Sequence, residues 1–294
     1  MIQASNGNFY GVALYGGANG AGNGAGTVFE MTPAGNLSTL YSFCAMQNCS
    51  DGGTPYGMLL QATNGNLYGT TYGFGAVGAN HGTIFEITLG GKLTTLYSFC
   101  SETNCTDGSY LYAGLVQGTD RNFYGTTIAG GVHNSDQSCN GIGCGTVFEI
   151  TPGGKLTTLY SFCSETNCTD GAVPGVLMQA TNGTFYGVTR DGGADYRGCI
   201  VGGGCGNVFS LSVGLGPFVE TNPTSGKVGR VVTILGNSLT SATDVSFNGT
   251  TATFTIVSGT EIKARVPTGA TTGSVEVTTP KKTLKSNVVF RVTK

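Results

Sequence analysis

The sequence predicts an all-β fold, and composition and periodicity both indicate it. Gly accounts for 51 of the 294 residues, charged residues make up 10%, and Trp is absent. So much Gly destabilises helices, whereas the many Thr and Val residues favour strands. The tripeptides Phe9–Gly11, Leu67–Gly69, Phe123–Gly125 and Phe185–Gly187 recur at intervals of 58, 56 and 62 residues. A period of this length indicates one supersecondary unit stacked on copies of itself.

Repeat 2 illustrates how one unit is built. Leu59–Thr63 is a short apolar run that ends at an Asn-Gly dipeptide, a strong hairpin turn signal. Asn66–Tyr72, Thr83–Thr88 and Leu93–Phe99 are three further predicted strands. Four short antiparallel strands in about 56 residues match one blade of a β-propeller. Apolar residues on both strand faces predict that each sheet lies between two neighbouring sheets.

The last repeat is predicted to lack its outer strand. The third strand recurs in Gly26–Glu30, Gly82–Glu86, Gly145–Glu149 and, in altered form, Gly206–Ser210, but a fourth strand follows only the first three. Repeat 4 is therefore expected to expose a sheet edge. The C-terminal domain, a strand donated by a neighbouring subunit or further upstream repeats would cover this edge. The alternative is a four-bladed propeller with one thin blade.

The ten cysteines form five close pairs, which predicts local disulfides and an oxidising compartment. The pairs are Cys44/Cys49, Cys100/Cys105, Cys139/Cys144, Cys163/Cys168 and Cys199/Cys205. Zinc binding is the alternative, but zinc sites favour Cys-x2-Cys spacing or nearby histidines, and the only histidines are His81 and His133. The predicted disulfides would pin loops that have no core of their own.

Several short sequence motifs of the repeat recur in the same order in each copy. In repeat 2 they are Leu67–Thr71, Gly82–Thr88 and Leu93–Phe99, followed by an Asp-Gly dipeptide. This pattern, over about residues 1–213, resembles the bacterial Gloeo/Verruco (GloVer) β-propeller-type repeat. The resemblance implies an extracellular or surface-anchored protein of environmental bacteria. It transfers no catalytic residue, metal site or cofactor, so none is expected.

A different pattern begins at Pro217. The segments Asn222–Gly226, Val231–Gly236, Val245–Gly249 and Gly273–Val277 resemble an IPT/TIG domain, which is an immunoglobulin-like β-sandwich. The predicted domains are therefore residues 1–216, a β-propeller-like array of four repeats with the last incomplete, and residues 217–294. The resemblance implies a spacer or adhesive module, because the DNA-binding versions need a further domain that this sequence lacks.

Charge is divided unevenly between the two predicted domains. Residues 1–216 hold 12 acidic and 5 basic residues, net −7, and residues 217–294 hold 4 acidic and 9 basic residues, net +5. This division favours head-to-tail packing between molecules, with solvated surface charge as the alternative. The basic residues are too scattered to indicate nucleic-acid binding. No apolar run reaches the roughly 18 residues of a membrane span, and no signal peptide is visible, so an export signal is expected outside the sequence.

Three sets of repeated residues are candidate sites. They are Glu30, Glu86 and Glu149 on the third strands, Asp51, Asp107 and Asp170 in the crossovers between repeats, and Tyr10, Tyr68, Tyr124 and Tyr186 on the second strands. The Glu set suggests a ring of carboxylates, with solvated side chains as the favoured alternative. The Asp set suggests calcium, with turns favoured. The Tyr set suggests stacking on sugar rings, with packing between blades favoured.

Six Asn residues precede a Ser or Thr at the spacing of N-glycosylation sequons. They are Asn36, Asn48, Asn104, Asn167, Asn182 and Asn248. Glycosylation at these sites is a hypothesis, because such sequons also arise by chance in a Thr-rich chain.

Together these patterns predict a non-catalytic structural or adhesive protein of the cell surface or extracellular space. The leading hypothesis is a subunit that assembles into fibrils through the open edge of repeat 4 and the TIG domain. The alternatives are a carbohydrate-binding surface module and, less favoured, an extracellular polysaccharide hydrolase or lyase. Expected partners are further copies of the chain, other surface proteins or glycans, and neither nucleic acid nor a transmembrane segment is expected.

Overall fold

A computed structural model describes residues 1–20, 22–75, 81–133, 139, 142–194 and 204–293. Within these residues the chain is all-β, as predicted, with short 3₁₀ turns as its only described helical elements. No helix in these ranges is long and apolar enough to cross a membrane. The chain divides into two compact units, and the main segment of the second begins at Leu211. The boundary between residues 216 and 217 remains a prediction.

Each of repeats 1 to 3 contains an antiparallel meander of four strands. The strands are β1 (Ile2–Gln3), β2 (Phe9–Ala13), β3 (Thr27–Met31) and β4 (Leu37–Ser42) in repeat 1; β5 (Gly53–Pro55), β6 (Leu60–Gln61), β7 (Leu67–Gly73), β8 (Thr83–Ile87) and β9 (Leu93–Ser98) in repeat 2; and β10 (Val116–Gln117), β11 (Phe123–Thr127), β12 (Thr146–Ile150) and β13 (Leu156–Ser161) in repeat 3. Repeat 2 adds a strand that the sequence did not predict, because β5 and β6 both pair with β7.

Repeat 4 has three strands among its described residues, which confirms the predicted loss of the outer strand. They are β14 (Ala172–Gln179), β15 (Phe185–Asp191) and β16 (Val208–Leu211), and β16 ends the sheet. The single long strand β14 spans the positions that β5 and β6 occupy in repeat 2.

The Tyr-Gly dipeptide of each repeat has a structural cause. Gly69 pairs across the sheet with Phe85, and a Cβ built at Gly69 would lie 2.5 Å from the Phe85 ring. The same pairing joins Gly11 to Phe29. An aromatic ring that covers a strand glycine in this way helps to fix the register of the two strands. The glycine therefore admits a Phe ring from its own sheet, rather than a close approach of the next blade.

The core of the repeats lies between successive sheets. One cluster joins the side chains Ile2, Tyr10, Val12 and Val28 of repeat 1 to Leu59, Leu67, Phe85, Ile87 and Leu93 of repeat 2. The next cluster repeats this arrangement between repeats 2 and 3, where Tyr68 stacks on Phe123 with ring centroids 4.1 Å apart. Each sheet therefore has a trailing face, which packs on the following repeat, and a leading face, which packs on the preceding one.

The second unit contains the immunoglobulin-like strands. They are β17 (Glu220–Asn222), β18 (Ser225–Lys227), β19 (Val231–Leu235), β20 (Asp244–Phe247), β21 (Thr250–Thr251), β22 (Phe254–Ile256), β23 (Glu261–Arg265), β24 (Val275–Thr278), β25 (Thr283–Lys285) and β26 (Arg291–Thr293). Two four-stranded sheets, in the orders β17-β19-β23-β22 and β21-β20-β24-β25, enclose one apolar core. Phe247 and Phe290 meet edge to face in this core, with centroids 5.0 Å apart.

Candidate functional site: the faces of the first and last repeats

Local disulfides close the three crossovers between repeats and, at Cys139–Cys144, the loop between β11 and β12 of repeat 3. The pairs are Cys44–Cys49, Cys100–Cys105, Cys139–Cys144 and Cys163–Cys168. Cys205 is also disulfide-bonded, whereas Cys199, its predicted partner, lies outside the described residues. The sulfurs of Cys139, Cys144, Cys163 and Cys168 lie within 4.8 Å of one another. A disulfide sulfur is not a thiolate, so the paired state withdraws the ligands that zinc needs.

An aspartate holds each of the three crossover loops; Asp51 and Asp107 are buried and Asp170 is half-buried. The Asp51 carboxylate is fully buried and accepts hydrogen bonds from the Tyr41 hydroxyl (2.8 Å) and the Ala45 N–H (2.9 Å). Asp107 accepts equivalent bonds from Tyr97 (2.9 Å) and Ser101 (3.0 Å). These neighbours are donors, whereas calcium requires a shell of oxygen ligands. The arrangement fits the turn interpretation of this set.

Burial and these hydrogen bonds shift the titration of the loop residues. Burial, with a further contribution from the Asp51 carboxylate, raises the pKa of Tyr41 above its ordinary value. Burial and the bond to Asp107 outweigh the bond to Ser101 and raise the pKa of Tyr97 to about 12. The pKa of Asp170 lies below its usual range, because burial, which acts to raise it, is outweighed by hydrogen bonds from Tyr160 and Ser164.

The repeated glutamates bond within their own repeats. Glu86 Oε1 accepts hydrogen bonds from the Tyr68 hydroxyl (2.8 Å) and from Asn66 Nδ2 (2.6 Å). Glu30 is held in the same way by Tyr10 and Asn8, both at 2.6 Å. The bonds from Tyr10 and Asn8 lower the pKa of Glu30. Each carboxylate is thus engaged by neighbours on its own sheet, which fits a structural role better than a shared cation site.

The repeated tyrosines divide into two environments. Tyr10, Tyr68 and Tyr124 are at most 1% exposed and lie between sheets, so they offer no ring to a sugar. Tyr186 is 36% exposed, and Ser210 stands where the other repeats carry glutamate. Packing between blades therefore describes the first three tyrosines but not the fourth.

All six sequon asparagines are exposed: Asn36, Asn48, Asn104, Asn167, Asn182 and Asn248. Three of them (Asn48, Asn104, Asn167) sit in the disulfide loops with a left-handed backbone near φ +57° to +58°. Exposure permits modification, and glycosylation remains a prediction.

A cavity of about 590 Å³ lies between the repeat 2 disulfide loop and the outer strand of repeat 3. Its lining includes Glu102, Asp107 and His133. Asp107 is committed to the hydrogen bonds of its own loop, so among the described lining residues it is not available as one of a pair of catalytic acids.

The trailing face of repeat 4 is exposed. It consists of Met178 (60% exposed), Tyr186 (36%), Val188 (48%) and Val208 (78%). The matching side chains of repeat 1 are Ile2, Tyr10, Val12 and Val28, all of which pack in the cluster with repeat 2. Four neighbouring apolar side chains that are buried or partly buried in repeat 1 are thus exposed in repeat 4, which marks an interaction surface.

The leading face of repeat 1 is the counterpart of that surface. Met1 and Leu37 are 61% and 68% exposed, whereas Leu59 and Leu93 at the matching positions of repeat 2 are 3% and 8% exposed. Phe9, Phe29 and Met31 between them are only partly buried. The sequence prediction identified the open edge of repeat 4 but missed both faces. The signal was present, because apolar residues on both strand faces indicate that every repeat needs a neighbour on each side.

Comparison with known proteins agrees with this architecture. Residues 1–201 match the sequence profile of the Gloeobacter/Verrucomicrobia repeat, and residues 218–292 match that of the IPT/TIG domain. A search of curated proteins found no match.

The solved structures that align with this chain are distant from it. A luciferin-regenerating enzyme aligns at 10% identity and TM-score 0.45 over 73% of this chain, which spans only 61% of that enzyme. A protein assigned as a gluconolactonase aligns at 13% identity and TM-score 0.35, covering 91% and 83% of the two chains. A protein of Thermus thermophilus assigned as an oxidoreductase (glucose dehydrogenase) aligns at 14% identity and TM-score 0.39, covering 94% and 88%. These likenesses carry no argument about activity.

Proposed function

The chain belongs to the Gloeobacter/Verrucomicrobia repeat family and carries an IPT/TIG domain, an architecture that suggests a surface or structural protein. We propose that it is a non-catalytic extracellular subunit that assembles head to tail. The trailing face of repeat 4 in one molecule packs against the leading face of repeat 1 in the next. The local disulfides, which persist in oxidising compartments, support an extracellular location.

The observation that carries the proposal is the complementarity of the two exposed faces. Repeats 1 and 2 already bury a trailing face against a leading face, and the same interface recurs between repeats 2 and 3. The exposed surfaces therefore match the two halves of an interface that the chain forms internally. An interface between two different patches is heterologous, so it propagates from molecule to molecule unless the rotation closes a ring.

The intermolecular contact is expected to be weaker than the internal ones. Inside the chain, Phe43 and Phe99, just after each outer strand, pack on Phe85 and Phe148 of the next repeat at 5.2 and 5.1 Å. Repeat 4 lacks the outer strand that leads to such a residue, so the Phe29 of the next molecule gains no equivalent partner. Assembly should therefore depend on protein concentration. The net charges of −7 in residues 1–216 and +5 in residues 217–294 support attraction between molecules at low salt.

Sedimentation velocity tests the proposal directly. The purified, non-reduced chain should shift from monomer to larger species between about 1 µM and 1 mM, as expected for a modest apolar interface. Val208→Glu, on the trailing face, and Leu37→Glu, on the leading face, should each abolish the shift, because each buries a charge in the contact. Val257→Glu is the matched control, since Val257 is 51% exposed in the second unit.

A mixing experiment separates this mechanism from other kinds of association. The Val208→Glu molecule keeps an intact leading face, and the Leu37→Glu molecule keeps an intact trailing face. An equimolar mixture should therefore form heterodimers and nothing larger. A wild-type chain that stays monomeric throughout, or a mixture that remains monomeric while wild type assembles, would overturn the head-to-tail arrangement.

A further inference from the structure

Four tyrosines from repeats 2 and 3 form one aromatic cluster, made of Tyr56, Tyr72, Tyr110 and Tyr112. The Tyr56 and Tyr112 rings lie 4.3 Å apart, Tyr72 stacks on Tyr110 at 5.0 Å, and Tyr72 meets Tyr112 edge to face at 5.0 Å. Tyr56 is 50% exposed and Tyr112 is 43% exposed. Large aromatic rings are seldom left this exposed side by side without a binding role.

The backbone holds this cluster in place before any ligand arrives. The Tyr110 N–H donates to the His81 carbonyl and the Ile128 N–H donates to the Tyr110 carbonyl, both at 2.9 Å. The Thr70 hydroxyl donates to the carbonyl of Ala113, directly after Tyr112, at 2.9 Å. A rigid platform loses little conformational entropy on binding, so its exposed rings retain their contact energy.

We propose that the tyrosine cluster binds a neutral glycan. The exposed rings of Tyr56 and Tyr112 take the C–H faces of pyranose units, and the tyrosine hydroxyls exchange hydrogen bonds with sugar hydroxyls. The net charge of −7 in residues 1–216 disfavours an anionic ligand. This site uses none of the residues of the two assembly faces and does not depend on them.

Isothermal titration of the full chain with cellohexaose, laminarihexaose and mannohexaose tests the proposal. At least one of these neutral probes should bind with a dissociation constant below about 5 mM. Tyr112→Ala and Tyr56→Ala should each weaken that binding about tenfold or more, and Tyr112→Phe should retain most of it. Tyr15→Ala is the matched control, because Tyr15 is 59% exposed in repeat 1.

Three results would overturn the glycan site. One is that none of the three probes binds at that concentration. Another is that the alanine variants bind as wild type does while circular dichroism shows them folded. The third is that a proline-rich peptide, the other ligand suited to tyrosine-lined surfaces, binds through Tyr112 in place of the sugars.

Discussion

Repeats 2 and 4 present nearly the same strand pattern to opposite environments. Tyr68 and Ile84 on the trailing face of repeat 2 are 1% and 0% exposed, whereas Tyr186 and Val208 at the matching positions of repeat 4 are 36% and 78% exposed. The residues remain apolar in both repeats, so the difference lies in whether a following repeat covers them. A stacked repeat gains most of its stability from its neighbours, and an end repeat keeps the unused half of an interface.

Exposure of the apolar side chains on the trailing face of repeat 4 to water is energetically unfavourable. Fully burying a Val or Met side chain is worth about 1.5–3 kcal/mol, so an exposed group of three such residues beside Tyr186 is a source of association energy. An end repeat that served only as a cap would carry a polar outer face, as capping repeats of other arrays do. Repeat 4 instead keeps Met178, Val188 and Val208. This retention is the reason to regard its face as functional.

The largest expected effect comes from removing one ring at matched positions. Phe85→Ala in repeat 2 should lower the free energy of unfolding by about 3–5 kcal/mol, because the ring is fully buried against Gly69 and Phe43. Phe29→Ala in repeat 1 should cost clearly less, since its leading face is partly exposed. Urea denaturation of dilute, monomeric protein measures both. Equal losses would mean that the leading face of repeat 1 is already covered.

Much of the repeat architecture was accessible from the sequence because it depends on local signals. In repeat 2 the predicted strands at Thr83–Thr88 and Leu93–Phe99 agree with β8 and β9 to within one residue at each end. The Gly-Thr start of the third strand and the turn at the Gly-Gly dipeptide of residues 90–91 determine those boundaries. The missing outer strand of repeat 4 was equally predictable, because the whole sequence motif of the fourth strand is absent there.

The tyrosine cluster was not accessible in the same way. Tyr56 and Tyr72 are 16 residues apart in the chain, and both contact Tyr112 of the next repeat. Their meeting depends on the stacking geometry of two sheets, which no local pattern encodes. The sequence drew attention instead to Tyr10, Tyr68 and Tyr124, which recur strictly because they are buried between sheets. Strict recurrence indicated packing, whereas the exposed cluster uses residues that differ between repeats.

Alkaline pH should lower the stability of the chain through the buried tyrosines of repeat 2. Burial, then the bond to Glu86, raises the pKa of Tyr68 to about 12, and Tyr97 in the same repeat reaches a similar value. Both groups are protonated in the folded and unfolded chain below pH 10. Between pH 10 and about 12 the unfolded chain loses these protons first, so stability should fall across that window. Urea midpoints at stepped pH measure the fall, and Tyr97→Phe should reduce it.

A smaller effect is expected from single hydroxyl groups. Tyr68→Phe removes the hydrogen bond to Glu86 inside the interface between repeats 2 and 3 and should cost about 1–2 kcal/mol. Tyr186→Phe should cost less than about 0.5 kcal/mol, because its side chain is 36% exposed. Thermal unfolding of the two variants side by side makes the comparison. A loss as large for Tyr186→Phe would indicate that repeat 4 is packed as tightly as repeat 2.

Ser210→Glu should have the smallest effect on stability. Together with Val208→Glu it also tests whether assembly is sensitive to any negative charge on the trailing face or only to a charge at certain positions. Ser210→Glu restores the glutamate of repeats 1 to 3 beside Tyr186, at an exposed site, so stability should stay within about 0.5 kcal/mol of wild type. Repeats 1 and 2 bury their trailing faces with such a glutamate bonded to tyrosine, so self-association should also persist. Val208→Glu adds the same charge two residues away and should abolish it. Sedimentation velocity of both variants makes this comparison. Equal loss of assembly would show that any negative charge on the trailing face disrupts the intermolecular contact, and that this contact does not resemble the internal interface between repeats.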